Sequence, residues 1–150
     1  MTRRLVAAAA AIVLFLEAVG LVIVHVVLGT AVDRQSMSVA GMDPDVMSGA
    51  TYAMGAVMGA FLAFCGLLAA RTAVTDRAPG RVGRLVLIGC AITHGVLGAL
   101  VVGMVGWGAF TFMMAVLALV VLTLVAYARE VEAKAYEEPP GRELPPPAAV

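Results

Sequence analysis

Apolar residues dominate four long stretches of the chain, and each is broken by very few charges. The first covers about residues 5–30, the second 50–70, the third 85–105 and the fourth 108–128. A helix rises about 1.5 Å per residue, so each stretch is long enough to cross a hydrocarbon core about 30 Å thick. None shows the strict alternation of a barrel strand, and backbone groups in lipid must be satisfied within the segment itself. The pattern predicts an all-α membrane protein, a bundle of four transmembrane helices.

The polar punctuation places the ends. In "GMDPDVMSGA", Asp43 suits an N-cap, Pro44 a first helical position and Asp45 a first turn, so the second helix is predicted over 44–70. Pro79, Gly80 and Gly83 in "RTAVTDRAPGRVGR" predict a turn, with Arg84 and its neighbours at the lipid headgroups. "GMVGWGAF" predicts a tight glycine hairpin with Trp107 in the aromatic belt. After Ala128, "REVEAKAYEE" has the pattern of a polar helix of two or three turns. "PPGRELPPPAAV" cannot hold a helix and reads as a disordered, solubilising tail. The expected organisation is a transmembrane domain over 1–128 and a cytoplasmic extension over 129–150.

Composition agrees with the bilayer reading. Of 150 residues, 62% are hydrophobic and 13% charged, with a mean hydropathy of +1.00; a soluble domain of this size cannot bury so much apolar surface. Charge adds an orientation. Arg3, Arg4, Arg71, Arg77, Arg81, Arg84, Arg129, Lys134 and Arg142 fall on one side of the four spans, and only Arg34 on the other. The positive-inside rule then puts both termini and the 71–84 loop in the cytoplasm. Nine Arg to one Lys, with abundant Ala, Val and Gly, suits a GC-rich bacterial genome. The expected location is a bacterial cytoplasmic membrane, crossed several times. The first apolar stretch is about twice the length of a signal-peptide core and contains Glu17, which favours a retained helix over a cleaved leader.

Two ionisable residues, Glu17 and His94, lie deep inside these spans. Glu17 is about twelve residues into the first helix, or roughly 18 Å, and His94 about nine into the third, or roughly 14 Å, counted from the same side. They are expected to meet near mid-depth, with Thr93 as a further donor. An ionised carboxylate there costs about 2.5–3.5 kcal/mol even on the lenient insertion scale, so Glu17 should pair or keep its proton. One reading is a polar clamp between helices; the other is a proton-linked carboxylate in a transport pathway. His25 and Tyr52 form a possible second cluster near the outer interface.

Small residues mark candidate packing faces: Gly55 and Gly59, with Gly66 nearby, on the second helix, and Ala91, Gly95, Ala99 and Gly103 on the third. Methionine is frequent in the outer half, so His25, Met54 and Met58 are candidate copper(I) ligands, although gap-filling is the plainer role for methionine. Cys65 and Cys90 lie at similar depth and are expected to act as small packing residues, since a disulfide there would face a reducing compartment. The chain has no nucleotide loop, no Ser–His–Asp set, no CxxC and no zinc-like spacing. Neither an enzyme active site nor a bound cofactor or metal is expected.

At "LFLEAVG" the chain resembles the first helix of small multidrug resistance transporters. That resemblance implies proton exchange for cationic drugs at Glu17 in a homodimer. The long first outer loop, the later helices and His94 depart from that family. The whole layout resembles small four-helix actinobacterial membrane proteins of unknown function, which transfers no activity. The expected role is a non-enzymatic accessory or interaction subunit of a larger membrane complex. A proton-coupled exporter is the alternative, and a copper-handling protein the third reading. No nucleic-acid partner is expected.

Overall fold

The computed structural model describes residues 2–38 and 41–137. Its helices are α1 (Thr2–Arg34), α2 (Pro44–Thr75), α3 (Arg81–Met104) and α4 (Trp107–Glu137), with no strand among the described residues. All four are long and apolar enough to cross a membrane. The helices outrun their apolar stretches because the i to i−4 ladder does not stop where side chains turn polar. Thus α1 and α2, at 33 and 32 residues, are roughly 50 Å long, and α4 continues through "REVEAKAYE". The proline-rich tail lies outside the described residues.

The connections follow their local chemistry. Asp43 caps α2 by accepting from the Asp45 amide at 2.8 Å, ahead of Pro44. At the other end of α2, Asp76 takes a left-handed conformation, φ 53°, and its amide donates to the Thr72 carbonyl at 3.0 Å. Residues 105 and 106 alone join α3 to α4, which is possible because Gly106 accepts φ +110°.

The chain runs up, down, up and down, so α1 is diagonal to α3 and α2 to α4. The α1–α2 and α3–α4 contacts are extensive, α1–α4 less so, and the α2–α3 seam is the narrowest. Leu14 and Ala18 of α1, Leu62 and Cys65 of α2, Leu87 and Cys90 of α3, and Val116 and Val120 of α4 form one core. Alanine lets α1 approach closely: Ala7, Ala10 and Ala11 are buried beside Ala69 and Ala73 of α2. Most other apolar side chains point outward, as suits a lipid environment; in the most apolar window of α1 only 17% of residues are buried.

Small residues set the α1–α2 distance. Gly55 lies under the Cβ of His25, Gly59 under Val22, and Gly66 beside Phe15; in return Gly29 of α1 lies under the ring of Tyr52. A Cβ at Gly55 or Gly59 would overlap the opposite helix. The α3 face differs from the expected stripe. Leu87, Cys90, His94 and Gly98 are the buried positions, whereas Ala99 and Gly103 are exposed and Ala91 and Gly95 lie at the margin. A strict four-residue repeat advances about 40° per step around a helix of 3.6 residues per turn, so such a stripe leaves a straight interface after two steps. Gly98, absent from that stripe, is the α3 glycine that meets α4 most closely, against Met114 and Met113.

Candidate functional site

The core of the bundle contains one carboxylate and one imidazole. Glu17 Oε2 and His94 Nε2 are 2.9 Å apart, with side chains 9% and 2% exposed. The bond crosses the α1–α3 diagonal, where the two helices make little other contact. The far ring nitrogen of His94, Nδ1, lies 2.8 Å from the Cys90 carbonyl one turn earlier. A carbonyl can only accept, so Nδ1 carries a hydrogen. One further proton is then shared between Nε2 and Oε2. Either the carboxyl donates to a neutral ring, or imidazolium and carboxylate form an ion pair; both leave the group of four helices uncharged at this point.

Cysteine extends this arrangement. Cys90 Sγ is 3.6 Å from His94 Nδ1, and Cys65 lies against Cys90 within the same core. Both cysteines are free and fully buried. A polar line therefore runs Cys65, Cys90, His94, Glu17 across α2, α3 and α1. The thiol and the carboxylate lie on opposite nitrogens of one ring, so they cannot share an ion. Among the described residues no group of three or more His, Cys, Asp or Glu is placed to hold a metal. No buried side-chain nitrogen or oxygen there lacks a hydrogen-bond partner.

Other expected contacts are arranged differently. Thr93 donates back to the Gly89 carbonyl at 2.9 Å instead of reaching Glu17, as hydroxyls commonly do inside helices. His25 and Tyr52 engage separately. His25 Nδ1 donates to the Leu21 carbonyl at 2.9 Å, and the Tyr52 hydroxyl pairs with Thr30 at 3.1 Å. The antiparallel register explains it: Gly55, one turn along α2 from Tyr52, is the residue beneath His25. Of the copper candidates, Met54 is 57% exposed, while the Cβ of His25 packs on α2.

The Glu17–His94 pair is close to the surface on one side. A groove of about 440 Å³ between α1 and α4 is lined by Leu16, Glu17, Gly20 and His25 from one wall and Phe112 and Met113 from the other. Its walls are almost wholly apolar, so Glu17 is the polar point at mid-depth and His25 that nearer the 35–43 loop.

A second polar knot ties the end of the bundle that holds the N-terminus and the 76–80 turn. Arg3 binds Asp76 through two parallel bonds of 2.9 Å, from Nε to Oδ1 and from Nη2 to Oδ2. Arg4 Nε donates to the Ala73 carbonyl at 2.9 Å. The buried Tyr127 of α4 donates its hydroxyl to Asp76 at 3.1 Å, and the Arg3 guanidinium carbon is 5.6 Å from the Tyr127 ring centroid. The Arg3 bonds hold the Asp76 carboxyl below its usual range, at about 2 against an ordinary 3.8. In the sequence Arg3 and Arg4 speak only to topology; "AVTD" at a helix end, in reach of an N-terminal arginine pair, is the local signal for this knot.

This knot titrates in a definite direction. The folded carboxyl has the depressed pKa, so its contribution is complete above about 3.8 and lost as pH falls towards 2. Melting midpoints of the wild type in detergent should therefore fall across that window. Asp76→Asn should flatten the dependence, and an unchanged profile in that variant would assign the acid sensitivity elsewhere.

Compared with known proteins, the chain matches no family model, no curated sequence and no solved structure.

Proposed function

We propose that this protein is a non-enzymatic integral membrane subunit that works as an accessory or interaction partner of a larger membrane complex, with Glu17 and His94 as an internal clamp. The observation that supports this reading is the completeness of the interior. The mid-membrane carboxylate and imidazole satisfy each other at 2.9 Å, and no buried polar side-chain atom among the described residues is left to coordinate a substrate. A buried polar bond of this kind fixes which faces of α1 and α3 meet, the registry role best attested for such groups. It fits a bundle built to hold one shape for a neighbour. The excess of basic residues at one end supports both termini lying in the cytoplasm, which reporter fusions at each terminus test directly.

The subunit reading is tested by purifying a tagged chain in mild detergent. Larger membrane subunits should co-purify at fixed stoichiometry and be lost when His94→Leu loosens the diagonal. A wild-type chain that is always obtained alone overturns it. The groove between α1 and α4 favours a second reading, a proton-coupled exporter of lipophilic cations acting through Glu17, because the groove opens an apolar path to that carboxyl. Under it, Glu17→Gln abolishes proton-linked flux in liposomes while the helices stay folded; unchanged flux eliminates it.

A further inference from the structure

The turn between α2 and α3 carries an arginine-lined cavity that the clamp does not use. A partly open cavity of about 360 Å³ lies between the end of α2 and the start of α3, lined by Arg71, Thr75 and Arg77 on one side and by Pro79, Gly80 and Gly83 on the other. A second cavity continues past Ala78 and Pro79 to Arg81 and Arg84. Among the described residues no carboxylate pairs with these four arginines. Asp76, the acidic residue in the turn, already accepts both bonds from Arg3.

The opposite wall adds a second donor set. The N-cap of α3 is Gly80, which has no side chain to satisfy the first amides of the helix. A Cβ there would meet nothing within 4 Å, so the space beside Gly80 is open. Arg71 and Arg77 line the same cavity as the uncapped start of α3, and guanidinium groups together with helix-start amides are the donor chemistry that takes a phosphate oxyanion. Its position selects the source. The apolar part of α2 ends near residue 70 and that of α3 begins near 85, so the cavity lies where the spans leave the hydrocarbon, at headgroup level. Arginine at that level is attracted to anionic lipid.

We propose that Arg71 and Arg77, with the uncapped start of α3, bind the phosphodiester headgroup of an anionic phospholipid, one per chain. The site rests on the chain lying in a bilayer, but not on which side its termini face or on the role of the complex. Bound lipid would bridge α2 and α3 at the end of their narrow seam.

Native mass spectrometry of the full chain, released from detergent mixed with phosphatidylglycerol or phosphatidylcholine, tests this. One phosphatidylglycerol should be retained at least about tenfold more often than phosphatidylcholine, and Arg71→Gln with Arg77→Gln should abolish the preference. Arg34→Gln, a charge lost at the opposite end, should leave it intact. Phosphatidylglycerol should also raise the wild-type melting midpoint, and phosphatidylcholine should not, a readout independent of how the variants fold. Equal retention of the two lipids, equal loss in Arg34→Gln, or no selective rise in the midpoint overturns the proposal. So does displacement by millimolar inorganic phosphate, which would make this a free-anion site. A chain that stays monodisperse in water without detergent removes the bilayer reading itself, a different failure.

Discussion

Replacing His94 by leucine should lower the unfolding free energy by about 1–3 kcal/mol, the usual range for leaving a buried polar partner unmatched. Glu17 would keep its place in the core with a side chain only 9% exposed, and its carboxyl would lose the bond that crosses the diagonal. Replacing Glu17 alone by leucine strands His94 Nε2 in the same way, although Nδ1 retains the Cys90 carbonyl. The double variant leaves no partner stranded, so it should be more stable than the sum of the single losses implies. Hydrogen bonds between membrane helices average about 0.6 kcal/mol and reach about 1.7 in direct cycles, and this largely buried pair belongs at the upper end. Reversible unfolding in mixed micelles, run as a double-mutant cycle, measures the coupling. Strictly additive losses would show that the two side chains are neighbours without energetic consequence, and the clamp would be abandoned.

The second large effect concerns glycine. Gly55→Ala and Gly59→Ala should each cost about 1–3 kcal/mol, the range for overpacking a close contact. At Gly55 the new methyl overlaps His25 Cβ, an atom fixed to the backbone, so helix α1 itself has to move. At Gly59 it overlaps a methyl of Val22, whose branched side chain has few alternative rotamers. Gly98→Ala meets the terminal methyl of Met114 instead. That chain end swings aside easily, so its cost should be smaller. Gly20→Ala and Gly49→Ala face open space and should stay within about 0.5 kcal/mol of the parent. Melting midpoints of the five variants give the ranking. A Gly55→Ala protein as stable as Gly49→Ala would mean that α1 and α2 are not in close contact.

These two effects differ in how well sequence foretells them. Glu17 and His94 could be matched by counting helical rise from a common side, because both are rare polar residues in helices running the same way. Asp43 and Pro44 marked the start of α2 for equally local reasons. Rotation about a helix axis is another matter. A soluble helix shows its buried face by the polar residues opposite, but α3 is apolar all round, so Leu87 and Gly98 carry no mark that separates them from Ile92 or Ala99. The spacing of Ala91, Gly95, Ala99 and Gly103 was the regularity on offer, and it spirals out of the interface. The Asp76 knot was hidden for a topological reason. Its partners Arg3 and Tyr127 are 73 and 51 residues away, and they converge only when α1, α2 and α4 end at one level. Similar counting puts Cys65 and Cys90 at one depth, but not the ring of His94 beside the Cys90 sulfur.

The unequal helices give the molecule an uneven profile. Helix α1 continues seventeen residues beyond Glu17, to Arg34, whereas α3 continues only ten beyond His94, to Met104. With those two side chains level, the α1–α2 tip overshoots the α3–α4 bend by about 10 Å. Trp107, 73% exposed at that bend, suits the depth of lipid carbonyls. In a bilayer with Trp107 at that depth, the overshooting tip, which bears Asp33, Arg34, Asp43 and Asp45, would stand clear in water. Whatever approaches from that side meets a mostly acidic promontory on one half of the protein and a recessed, lipid-level shelf on the other.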